Sequence, residues 1–74
     1  MKFDKTKFLL DIRTLEEDAD KLTTSDLQGC VQAITMEHFG MCDWTIDDYI
    51  LQYIYGKVNE ETLFEKIEQD VHLE

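Results

Sequence analysis

Hydrophobic positions recur along this chain at helical intervals. Phe8, Ile12, Leu15, Ala19 and Leu22 step by four, three, four and three residues, and Leu9 widens the face they line. That spacing predicts a helix over about residues 6–22, capped by Asp4 or Thr6 and ended by the polar run from Thr23 to Asp26. Leu27, Val31, Ile34 and His38 share a second face, with Cys30 and Phe39 beside it. Ser25 and Gln28 have the spacing of a capping box, and Gly40 suits the left-handed residue that ends many helices. The second helix is therefore expected over about 26–39. Ile46, Tyr49, Ile50, Tyr53 and Ile54 form a third face, stopped by Gly56. Here Thr45 reads as the cap, with Trp44 and Tyr49 placed as a hydrophobic staple across the turn, and the helix as about 46–55. Leu63, Phe64, Ile67 and Val71 mark a fourth helix over about 60–71, with Asn59 as cap and Val58 and Leu63 as staple.

No strand-like alternation competes with these patterns, and the connections are short. The expected fold is all-α: residues 1–74 as one domain, a small compact bundle of about four short helices frayed at both termini. Composition agrees. Apolar residues make up 43% of the chain, too many for a disordered segment, and there is no proline. A chain of 74 residues buries only roughly 60% of its unfolded surface, which leaves little room for a deep catalytic pocket beside the core.

Charge narrows the partner class. The net charge is −10, and between Leu22 and Gly56 there is no Lys or Arg, while Asp26, Glu37, Asp43, Asp47 and Asp48 fall there. Such a surface repels a phosphate backbone, so direct nucleic-acid binding is disfavoured. The segment from Glu60 to Asp70 sets one Lys against five acids, which likewise argues against a helix reading the major groove. A basic protein surface would be drawn to these acids, and the same charge also promotes solubility. The N-terminus lacks the unbroken apolar core of a signal peptide, no segment reaches transmembrane length, and two cysteines do not make a disulfide framework. These readings together point to the cytoplasm.

The richest stretch for chemistry is residues 33–50, with Glu37, His38, Cys42, Asp43, Trp44, Asp47 and Asp48. Cys30, His38 and Cys42 lack the closely spaced ligand pairs of structural zinc sites. His38 has no nucleophile motif or anion loop to serve as a base for. The acids from Asp43 to Asp48 interleave with apolar residues where a calcium loop needs oxygen ligands. Neither enzyme activity, metal nor cofactor is expected. Of the aromatic residues Phe39, Trp44, Tyr49, Tyr53 and Tyr55, most read as core or staple, while Tyr55 and one edge of Trp44, beside acids, suit a protein interface better than base stacking, which needs neighbouring cations.

From Ala33 to Ile67 the chain runs A-x-T-x-x-x-F-G, an acidic turn, an apolar helix ending Y-I-Y-G, then K-V-N-E-E-T-L-F-E-K-I. This order resembles the small antitoxin domain of the VbhA type, which binds Fic-family toxins and carries a Ser/Thr-x-x-x-Glu-Gly signature. The resemblance places Thr35 on the Ser/Thr and Gly40 on the Gly, and it sets Phe39 where the family has its inhibitory Glu. It implies a protein-binding regulator that, without that carboxylate, either obstructs its partner sterically or has left Fic inhibition behind. A second match, Thr24-x-x-x-Gln28-Gly29, has Gln for Glu and sits at a helix start.

Two functions remain open from the residues. One is a non-enzymatic regulator that binds and restrains a partner protein with a basic surface, through Thr35, Phe39, Asp43, Trp44, Asp47 and Asp48. The other is a nucleic-acid mimic or anti-repressor that occupies the basic surface of a DNA- or RNA-binding protein. A homodimer is compatible with either.

Overall fold

Four helices form where the apolar stripes lie, but the capping residues move three of their starts. The computed structural model of the chain describes residues 3–71; the expected fraying at the two termini lies outside them. Helix α1 spans Lys5–Asp18, with the Asp4 side chain accepting from the Lys7 amide at 3.0 Å. The expected continuation to residue 22 instead tightens into a short 3₁₀ turn, Ala19–Lys21, and the backbone is extended at Leu22.

Helix α2 spans Thr24–Phe39, and its cap is Thr23, not Ser25. The Thr23 hydroxyl accepts from the Asp26 amide at 3.1 Å. This choice puts Leu22 just before the cap and Leu27 four positions into the helix, the arrangement of a hydrophobic staple. Leu27 is buried and Leu22 packs against the core. Gly40 then ends α2 at φ 71°, in the left-handed region.

Helix α3 spans Trp44–Ile54, and its cap lies two residues before the expected Thr45. Asp43 is that cap, its carboxylate accepting from the amides of Thr45 at 2.9 Å and Ile46 at 3.3 Å. Trp44 therefore becomes the first helical residue and projects outward, so the expected staple with Tyr49 does not form. At the other end, Lys57 donates to the Gln52 carbonyl at 2.9 Å and Gly56 to that of Tyr53 at 3.0 Å. This closure requires the φ of 77° that Gly56 adopts. Helix α4 spans Glu60–Asp70, capped by Asn59 as the sequence predicts.

Each helix gives its stripe to one core: Phe8, Ile12 and Leu15 from α1; Leu27 and Val31 from α2; Ile46, Ile50 and Ile54 from α3; Leu63, Phe64 and Ile67 from α4. Burying a side chain of this size stabilises by about 1.5–3 kcal/mol. Helix α3 packs against all three others, which explains its apolar breadth. The radius of gyration is 11.4 Å, against roughly 11 Å expected for a compact chain of this length. The chain is all-α, and among the described residues no helix is long and apolar enough to cross a membrane.

Candidate functional site

Capping by Asp43 decides what the surface offers. As the first residue of α3, Trp44 is 83% exposed, the highest value among the exposed large hydrophobic side chains. It forms one wall of a groove between α2 and α3, a cavity of ≈ 280 Å³. Gln28, Val31 and Gln32 come from α2, and Asp47, Asp48 and Leu51 complete the α3 side. Positions 28, 31 and 32 on one helix and 44, 47, 48 and 51 on the other are one-turn spacings, so each helix presents one face to the groove. The floor is apolar, formed by half-buried Leu51 with fully buried Val31 beneath it; the rim is aromatic, amide and acidic.

The acids of this groove are held differently. Asp47 is half-buried and accepts from the Thr35 hydroxyl at 2.5 Å, a bond that ties α3 to α2. Asp48 is exposed and accepts from the Gln52 amide at 2.8 Å. Lys66 reaches Gln52 at 3.2 Å rather than either acid. Among the described residues, the Lys and Arg ion pairs are Lys7 with Glu37 and Arg13 with Glu60, so no Lys or Arg neutralises the groove.

Trp44, Asp47 and Asp48 are thus brought together, and the other three expected contact residues are engaged within the fold. Thr35 is wholly buried and has no surface with which to touch a partner. Its role is the bond to Asp47, so its expectation as a binding residue is corrected. Phe39 is half-buried, stacked on Phe3 at 5.1 Å between ring centroids and edge-on to Phe8 at 5.6 Å. It closes one end of the core. Asp43 spends its carboxylate on two backbone amides of α3. Gln28 and Gln32 were missed as groove residues. Their only sequence signal is a polar pair one turn apart beside the apolar face of α2.

Around His38 the neighbours are acids, not cysteines. His38 is buried and its Nε2 lies 2.6 Å from an oxygen of Asp11. Glu37 is close enough that one ligand atom from each of Asp11, Glu37 and His38 lies within 4.8 Å of the others. Lys7 pairs with Glu37 at 3.1 Å, and its ammonium pKa rises through that hydrogen bond and charge. The arrangement ties α1 to the end of α2. Cys30 and Cys42 are free and exposed.

A second depression, between α1 and α4, is lined by Lys5, Phe64 and the acids Glu60, Glu61, Glu65 and Glu68. Its apolar element, Phe64, is covered by the Lys5 ammonium 4.5 Å from the ring centroid. Nearby, Arg13 donates to Glu60 at 2.9 Å through Nε, and the phenol of Tyr53 also reaches Glu60, at 3.4 Å. Burial, and then the charges of Glu16 and Glu60, raise the pKa of Tyr53.

Fold and groove together define a small all-α bundle with an acidic, aromatic-walled cleft between two helices. Compared with protein-family models, curated proteins and solved structures, the chain finds no match.

Proposed function

We propose that this protein is a small, acidic, non-enzymatic regulator that binds and restrains one partner protein through the α2–α3 groove. The observation that carries the reading is Trp44, exposed beside an apolar floor and two acids. An indole held out in water at a cleft costs hydration free energy that a partner surface would recover, and Trp is prominent among residues that dominate interfaces. The absence of Lys and Arg between Leu22 and Gly56 makes the same surface attractive to a basic partner.

The resemblance to VbhA-type antitoxin domains supports an inhibitor, by a different route from the family's carboxylate. Phe39, on the position of that carboxylate, lies in the aromatic core cluster, so restraint would come from occupying the partner's surface. The nucleic-acid mimic draws less support, because exposed acids stand on all four helices and in the turn after α1, not in a single row.

The test is purification of the tagged chain from its native host at low ionic strength, as wild type and as Trp44→Ala. The expected result is a stoichiometric protein partner with the wild type that is lost with the variant. Recovery of free monomer from both, or equal partner recovery from both, would overturn the reading.

A further inference from the structure

Resting on that reading of the groove, we propose that its occupant is a cationic amphipathic helix of the partner. Its apolar side chains would lie on half-buried Leu51 against exposed Trp44, and its Arg or Lys side chains would pair with Asp48 and the outer edge of Asp47. Three features lead there. The first is length: from residue 44 to residue 51, α3 rises roughly 10 Å, two helical turns. A helix laid into the groove therefore presents side chains at i, i+3 or i+4, and i+7. The second is backbone chemistry. Among the described residues there is no strand, and the groove walls are two helices that offer no sheet edge. An extended peptide would find no edge to pair with, whereas a helix brings its own backbone bonds.

The third is charge. Both ionic groups of the groove are acids, and no Lys or Arg pairs with either among the described residues. A second copy of this chain, at net charge −10, would set carboxylates against carboxylates, while a cationic helix completes them. Gln28 and Gln32 add amide groups along the opposite rim, able to donate to or accept from polar side chains flanking the apolar face.

Trp44 is the sole tryptophan, so its emission reports groove occupancy without a label. The experiment titrates the full chain with three synthetic peptides. One is helix-forming, with Leu at i, i+4 and i+7 and Arg on both flanks. The second has the same composition shuffled to break the face, and the third has Glu for Arg. The expected result is a saturable blue shift with the first alone. Calorimetry should show at least tenfold weaker binding to Trp44→Ala and several-fold weaker binding to Asp48→Asn, whose salt dependence is shallower. Both positions are exposed, and unchanged melting temperatures would verify that the variants fold.

Equal binding of the shuffled peptide, no shift with the amphipathic one, or undiminished binding to Trp44→Ala would overturn the proposal. So would sedimentation as a dimer at micromolar concentration that Trp44→Ala dissolves, since a second copy would then fill the groove. If the peptides fail while partner capture still depends on Trp44, the cationic helix is wrong and the groove reading stands. If capture does not depend on Trp44, the groove reading itself fails.

Discussion

Thr35 separates an internal role from a binding role, and the substitution Thr35→Val does so with little change of shape. The side chain is fully buried, and its hydroxyl donates to Asp47 across the α2–α3 contact. A hydrogen bond to a charged acceptor contributes about 1.5–3 kcal/mol. Asp47 is only half-buried, so water replaces part of the lost bond and the lower end of that range applies. The methyl that replaces the hydroxyl is buried and returns up to about 0.8 kcal/mol. The net loss should be about 1 kcal/mol, or a melting temperature lower by roughly 4–8 °C for a domain of this size. Urea unfolding followed by circular dichroism measures it, and a double-mutant cycle with Asp47→Ala should give a coupling of about 1 kcal/mol. A neutral or stabilising Thr35→Val, or strict additivity with Asp47→Ala, would refute the bond. Partner binding well below the melting temperature should be unchanged. Loss of binding at unchanged stability would instead make Thr35 a contact residue.

Gly29 and Gly56 both have open space where a Cβ would stand, yet they should respond to alanine in opposite directions. Gly29 lies inside α2, so Gly29→Ala should stabilise by about 1 kcal/mol; Gly56, at φ 77°, should lose about 1–2 kcal/mol as Gly56→Ala, both read from thermal melts. Asp43→Ala removes a side chain that caps two amides and should cost about 1 kcal/mol in urea unfolding; no loss would mean Thr45 can take over the cap. Tyr53 gives a pH prediction. Its folded-state pKa lies above the unfolded value of about 10, so its contribution is full below that pH and is lost as pH rises through the folded value. The difference in 295 nm absorbance between wild type and Tyr53→Phe should therefore titrate above pH about 10; a midpoint at or below it would contradict the burial argument.

Stripes and stops were legible because they are local. Ile46, Ile50 and Ile54 recur at helical spacing, and Gly40 and Gly56 take positive φ where an L side chain is strained. Caps were less legible where neighbouring residues compete for one position. In Thr23-Thr24-Ser25-Asp26 any of several oxygens can reach an amide, and the packing of Leu22 and Leu27 against the core settles the choice. At Asp43-Trp44-Thr45 a shift of two residues turns Trp44 from a staple into an exposed wall. The groove was half legible for a different reason. Its α3 side sits in one acidic, aromatic stretch, whereas Gln28, Val31 and Gln32 join it only through helix packing. Tertiary contact likewise moved Thr35 and Phe39 inward: one bonds Asp47 from another helix, and the other stacks on Phe3, far away in sequence.

Whether a partner protein sits in the α2–α3 groove at Trp44 is open to photo-crosslinking. The label is p-benzoylphenylalanine at exposed rim position 32, which leaves Trp44 in place, and, as a control, at exposed Glu17 on α1. Irradiation in the native host should give one discrete covalent protein adduct from position 32 and none from position 17. No adduct at position 32, or the same adducts from both positions, would contradict the assignment of the groove.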